Sequence, residues 1–359
     1  MKHTGMISRR SFLQAAALTA ACSALALTGC GSSSSAASSA AGAASAQEGA
    51  AVYKVGIVNY VDDASLNQIV ASLEARLDEV GAERGVTFNY ADYYANAQAD
   101  QSNLNQIGAD LVADEVDVIV AVATPSASTM LAAVEDTDIP VIYSAVTDPV
   151  GAGFDGLPNI TGTSDALNTE AIMNLILSIN PDLDQLGLLY DLGQDSSTQA
   201  IADAKAFCDE HGIRCIEKNG TNTAEVQMAV EALAASGVKV VFTPTDNTIM
   251  TAELAIYETM IEAGIQHFTG ADSFALNGAF MGYGVDYVQL GEATADMVAE
   301  LLCDGKTIAD LPYRTFDNGT ATINTETCAA LGLDLETVKT AFEPYCTAIE
   351  ELVTAEEFA

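Results

Sequence analysis

The chain has 359 residues, 49% of them hydrophobic and 18% charged, which is enough apolar material for two cored domains and too much for wholesale disorder. Acids outnumber bases 50 to 13, for a formal net charge of −37, which argues against nucleic acid or an anionic membrane face as a partner. His3, His211 and His267 are the only histidines, and no His/Cys cluster has metal-ligand spacing, so neither a zinc enzyme nor a metal site is expected.

The first 29 residues read as an export signal. Lys2, Arg9 and Arg10 form a basic start, and 12–27 are a short apolar stretch rich in Ala and Leu. Arg9-Arg10 also fits a twin-arginine signal, so the general and twin-arginine routes both stay open. The stretch ends in Leu27-Thr28-Gly29-Cys30, which resembles a bacterial lipobox and so implies cleavage before Cys30 and acylation of its thiol. Residues 30–51 are then a Ser/Ala/Gly tether, unable to form a core. The expected location is the outer face of a bacterial cell membrane, held there by lipid.

From residue 52 strands and helices alternate. Strands are predicted over 54–59, 86–93, 116–123 and 140–146, with helices over 66–80, 100–114 and 125–135 between them. A second series follows, with helices over 169–180, 196–211, 224–235 and 248–263 and strands over 185–190, 213–217, 238–243, 267–270 and 280–285. A further helix is expected over 290–303 and a sheet edge over 316–323. The fold class is therefore α/β: two doubly wound parallel-sheet lobes with a ligand cleft between them. The first lobe takes 52–162 and about 287–315; the second takes 163–286 and about 316–359.

Function in such sheets sits at the carboxyl ends of the strands. The polar residues there are Asn59 and Tyr60, Thr124 and Ser126, Thr147 and Asp148, Tyr190, Asp246 and Asn247, and Asp272. Thr124-Pro125-Ser126 can cap a helix and also hold a carboxylate with hydroxyls and helix N–H groups. Asp246 and Asp272 are the candidate acceptors for an ammonium, and Tyr60 and Tyr190 the candidate aromatic walls. Asp246 fits a plain helix cap as well, and Asp148 a turn. Arg76, Arg84, Arg214 and Arg314, the arginines beyond the signal, lie outside these loops, so a phosphate or dicarboxylate is not expected.

The segments Val55-Gly-Ile-Val58, Ala123-Thr-Pro-Ser-Ala127, Ala145-Val-Thr-Asp-Pro149, Asn159-Ile-Thr-Gly-Thr-Ser164, Pro244-Thr-Asp-Asn-Thr248 and Tyr283-Gly-Val-Asp-Tyr287 together resemble the substrate-binding lipoproteins of ABC importers, in the branch associated with aromatic and related amino acids. The resemblance covers about 52–315 and implies a type I periplasmic-binding-protein fold. It also implies capture of one small zwitterion, an aromatic or branched-chain amino acid, by a monomer that delivers it to a permease and its ATPase without a cofactor. Sugar or nucleoside capture by the same fold, and a non-transport sensor or adhesin, are the alternatives.

Enzyme readings lack their parts: the chain has no dinucleotide fingerprint, phosphate-binding P-loop or Gly-x-Ser-x-Gly elbow. Five cysteines follow Cys30; Cys208 with Cys215 and Cys328 with Cys346 are both possible bridges on spacing alone.

Overall fold

The computed structural model describes residues 50–316 and 319–357, so the signal, Cys30 and nearly all of the tether lie outside the described residues. The first lobe opens with β1 (Val52–Asn59), α1 (Ala64–Arg84), β2 (Thr87–Asn89), β3 (Tyr94–Asn96) and α2 (Gln101–Ala113). It continues with β4 (Val118–Val122), α3 (Thr124–Ala133), β5 (Val141–Ser144) and β6 (Ile160–Ser164). The second lobe holds α4 (Thr169–Ile179), β7 (Gln185–Tyr190), α5 (Asp195–His211), β8 (Arg214–Asn219), α6 (Thr223–Ser236) and β9 (Val240–Thr243). Next come α7 (Asn247–Ala252), α8 (Tyr257–Glu262), β10 (Gln266–Thr269), α9 (Asp272–Leu276) and β11 (Met281–Gly284). The chain then runs through α10 (Tyr287–Cys303) and β12 (Arg314–Thr315) to β13 (Thr320–Asn324), α11 (Thr325–Ala330), α12 (Leu335–Phe342) and β14 (Ala348–Leu352).

Two seven-stranded sheets result. One has the order β12-β6-β5-β4-β1-β2 with β3 also on β1, and the other β14-β13-β11-β10-β9-β7-β8. Every pairing is parallel except β11 with β13. The central strands β4, β5 and β9 are buried along their whole length, as continuous Val/Ile runs covered by helices on both faces require. The chain changes sheets three times: after β6, after β11 and after β12.

The structure differs from the sequence expectation where long-range contacts override local pattern. The strand expected over 86–93 is cut short at Asn89 by a turn in which the amide of Tyr93 donates to the carbonyl of Tyr90 at 2.9 Å, and a further strand starts beyond it at Tyr94. β2 pairs with the first half of β1 and β3 with the second. Helix α1 passes through Gly81 and stops at Gly85, whose φ of 68° is the left-handed cap conformation glycine favours. The helix expected over 248–263 breaks into α7 and α8 around a tight turn at Glu253–Ala255. Glu253 is fully buried there and meets His267 Nδ1 at 3.1 Å, the partner a buried carboxylate requires. The strand at Thr320–Asn324 is not an edge, because β14 pairs outside it.

Helix α10 lies on α1, and Gly291 is the point of closest approach. A Cβ at that position would collide with the Ser72 hydroxyl and the Ile69 carbonyl. Both helices are buried on the facing side, so neither can shift without opening the first core. Gly291→Ala should destabilise the fold by about 1–3 kcal/mol through overpacking. Urea unfolding followed by circular dichroism reads this as a lower midpoint.

Candidate functional site

The carboxyl ends of both sheets face each other across a cavity of about 20 Å³, room for roughly one water molecule. Ser65, Leu66, Ala123, Thr124, Ala145, Thr147 and Asp165 wall it from the first lobe; Ser196, Thr245, Asn247, Met250 and Ala271 wall it from the second. Tyr287, where the chain enters α10, completes the wall. The lobes touch directly beside the cavity. Ser65 Oγ donates to Asp272 Oδ1 at 2.7 Å, and the hydroxyls of Thr147 and Thr245 are 2.9 Å apart. A ligand of amino-acid size therefore enters only when these contacts part, as in a hinge opening.

The first-lobe wall is built on strained backbone. Ala123 has φ 74° and Ala145 φ 56°, values that non-glycine residues rarely adopt. The bend at Ala123 puts an alanine in the cap position of α3, so Thr124 is the first helical residue and makes no capping hydrogen bond. Thr124 is thus not the N-cap that its sequence suggests. Its Oγ1 and Ser126 Oγ are buried without a hydrogen-bond partner, as is Asn59 Oδ1. Buried hydroxyls without partners are costly. Here they stand at the N-terminus of a ten-residue helix, where backbone N–H groups and the helix dipole favour negative charge.

Carboxylates from both lobes gather beside the cavity: Asp63 and Asp165 from the first and Asp272 from the second. Asp165 is buried, and its Oδ1 accepts from Thr147 Oγ1 at 3.0 Å. Burial raises Asp165 to about 6 and Asp272 to about 6. Asp63 rises to about 7, first through burial, against the hydrogen bonds it accepts from the amide of Leu66, with the nearby Asp272 charge adding to the rise. The Tyr287 hydroxyl, buried among Asp165, Asp272 and Asp63, is pushed well above its ordinary value by burial first and these charges second. The four arginines of the described residues are engaged elsewhere: Arg76 with Asp296, Arg84 with Asp304, Arg214 with Gln185 and Arg314 with Glu300.

Of the residues singled out in the sequence, Thr124, Thr147 and Asn247 line the cavity. Asp272 lies at the lobe contact, and Tyr60 lies near Gln194, Asp191 and Asp246 of the opposite lobe, its hydroxyl held above its ordinary value by burial first and then by those two acids. Three others are drawn into structural contacts. Asp246 is fully buried; its Oδ1 caps α7 by accepting from Thr248 and Ile249, while Oδ2 accepts from the Asp191 amide and from Ser197 Oγ. With four donors on it, this carboxylate has no face left for an ammonium. The Tyr190 hydroxyl donates to Glu217 at 2.7 Å, away from the cavity residues, and Asp148 accepts from the Gly151 amide in a turn. Asp165 was missed because it follows β6 into a crossover and not into a helix start. Its signal was its place one residue beyond the Asn159–Ser164 segment. Ser65 and Tyr287 were missed as well; both sit in first helical turns facing the cleft.

Residues 54–341 match the model of ABC transporter substrate binding proteins. The chain belongs to that family. Its members are binding proteins of transporters and not enzymes, and their place of work is outside the cytoplasm. Among the described residues no helix is long and apolar enough to cross a membrane. The tyrosine-binding protein of Clostridioides difficile (strain R20291) is 29% identical over 284 residues, 78% of this chain and 81% of its own. An ABC domain from Streptococcus pneumoniae in complex with L-Trp is similar with TM-score 0.74 at 26% identity, covering 83% of this chain and all of that one (100%). A ligand-free, open substrate-binding protein with adhesive properties from Clostridium difficile is similar with TM-score 0.62 at 25% identity, over 84% of this chain and 100% of its own.

Buried acids held above their ordinary values set the direction of pH dependence. Asp165, Asp246 and Asp272 at about 6 and Asp63 at about 7 keep protons that the unfolded chain has already released. The native state binds more protons across this range, so their contribution to stability is full below about pH 4 and is lost as pH rises through 6–7. Without ligand, the melting temperature should therefore fall between pH 5 and pH 8. Asp165→Asn should flatten that slope, which differential scanning fluorimetry across a buffer series measures.

Proposed function

We propose that the protein captures a single zwitterionic amino acid with an aromatic or large apolar side chain and delivers it to an ABC permease. The observation that carries this reading is the pairing of two unlike walls. Thr124 and Ser126 offer unpartnered buried hydroxyls at the α3 N-terminus, suited to a carboxylate. Asp165 and Asp272 offer buried acceptors, suited to an ammonium. An ammonium close to these two acids favours their charged forms and offsets their burial. Leu66, Met250 and Tyr287 supply apolar surface for the side chain. With the arginines paired elsewhere, a second carboxylate on the ligand has no charged partner in the cavity wall. The names of the relatives, one tyrosine-binding and one solved with L-Trp, support the aromatic class.

The ligand test combines a panel with two variants. L-Trp, L-Tyr and L-Phe should raise the melting temperature, because they bind only the folded state. Arabinose, ribose and nucleosides should leave it unchanged. Asp165→Asn should weaken amino-acid binding by on the order of tenfold to a hundredfold, the worth of a charge-assisted hydrogen bond, as read by titration calorimetry. Against 3-phenylpropionate, which lacks the amino group, that loss should shrink, whereas the loss caused by Thr124→Val should persist. A shift with sugars alone overturns the amino-acid reading.

The same proposal places the mature chain on a lipid anchor at Cys30, with 30–51 as its tether. The lipobox-like Leu27–Cys30 segment supports this. Cys30→Ala should abolish incorporation of labelled palmitate and remove the processed protein from the membrane fraction. Normal processing and membrane retention of the variant would overturn the anchor.

A further inference from the structure

The second lobe carries two cysteines that the binding site does not use. Cys208 lies in the last turn of α5 and is fully buried; Cys215 is the second residue of β8 and half-buried in the same apolar cluster. The turn between them is tight. Gly212, with φ 70°, ends α5, and the amide of Ile213 donates back to the carbonyl of Cys208 at 2.8 Å. β8 is then held in register on β7 with Cys215 opposite Leu186. As a result both side chains are brought into one apolar cluster between α5 and the sheet, where each thiol perturbs the other, Cys208 upward and Cys215 downward. The other described cysteines are not paired in this way. Cys303 faces Arg84, Cys328 donates weakly to the Leu333 carbonyl at 3.8 Å, and Cys346 is surrounded by apolar groups that push its thiol up to about 11.

We propose that Cys208 and Cys215 form a dithiol that closes to a disulfide when it meets a disulfide-bearing oxidant outside the cytoplasm. Their roles differ by position. Cys215 is the more exposed and is the attacking group. The neighbouring Cys208 lowers its pKa, burial and the nearby Glu217 and Asp209 oppose this, and Lys205 assists. Lys205 itself is ion-paired to Glu217 at 2.8 Å, which fixes the cation beside the pair. The Cys215 thiolate attacks one sulfur of the oxidant, forming a mixed disulfide and expelling a thiolate. Cys208 loses its proton, attacks Cys215 and expels the second thiolate. Two protein thiols are oxidised, one disulfide is reduced to two thiols, and the bond ties the end of α5 to the start of β8.

The arrangement can be read by peptide mapping of the wild-type protein. Trypsin cuts after Lys205, Arg214 and Lys218, so Cys208 falls in peptide 206–214 and Cys215 in peptide 215–218. After exposure of the folded protein to oxidised glutathione, these peptides should be recovered linked, and dithiothreitol should separate them. Cys208→Ser should stop at the mixed disulfide on Cys215, whereas Cys215→Ser should leave the buried Cys208 thiol unmodified. Reduction of the oxidised wild type should lower its melting temperature by about 3–5 °C. Free, alkylatable Cys208 and Cys215 after oxidation, or a link through Cys328 or Cys346 instead, would overturn the assignment.

Discussion

In a parallel sheet every strand finishes at the same edge, and every following helix starts there. That constraint decides where this protein keeps its polar groups. The ends of β4 and β5 bring Thr124 and Thr147 to the cleft, and the end of β9 leads to Thr245 and Asn247 on the other side. Helix N-termini supply partial positive charge at the same edge. The opposite edge has no such convergence, so the binding chemistry is confined to one face of each lobe by strand direction alone.

The second determinant is desolvation. Asp63, Asp165 and Asp272 lie close together near the cavity with no arginine among the cavity walls, and burial is the first cause that holds them above their ordinary values. At the start of α3, Thr124 and Ser126 hold hydroxyl oxygens away from any protein partner. Both features are unfavourable for the lobes taken by themselves. They become favourable only if a group of the right charge enters each side, which is how a binding site trades stability for affinity. The backbone at Ala123 belongs to the same trade. Its φ of 74° is a strained value for a residue with a Cβ, and it leaves the following threonine on the cavity wall instead of at the cap of α3.

The alternation of strands and helices was legible because fully buried strands are continuous apolar runs, and the two βα series follow one another without a gap. The site was legible only in part. A Thr, Asp or Asn after a strand reads alike as a helix cap and as a ligand contact. Asp246 is claimed by the amide of Asp191 and the hydroxyl of Ser197, about fifty residues away in sequence, and nothing local to Pro244–Thr248 records them. Thr124 went the other way, because a backbone torsion at Ala123 released it from capping. The break between α7 and α8 likewise rests on His267, which lies on the next strand. Asp165 is the instructive omission: it stands where the chain leaves one lobe for the other, a place that strand-to-helix patterning passes over.

The three crossings between sheets have a consequence for the order in which the chain can fold. The first lobe begins at β1, yet its core includes Leu290, Met297, Val298 and Ala299 of α10, and its sheet is finished by β12 at Arg314–Thr315. During synthesis or export from the N-terminus, the apolar face of α1 therefore waits for some two hundred residues, through nearly all of the second lobe, before α10 arrives to cover it. The second lobe is in the same position, since β13 and β14 come last. Neither lobe exists as a contiguous stretch of sequence, so neither can be secreted, truncated or exchanged as a separate module. The chain reaches its native contacts late and nearly all at once, and the partly made protein exposes hydrophobic surface that a chaperone would have to shield.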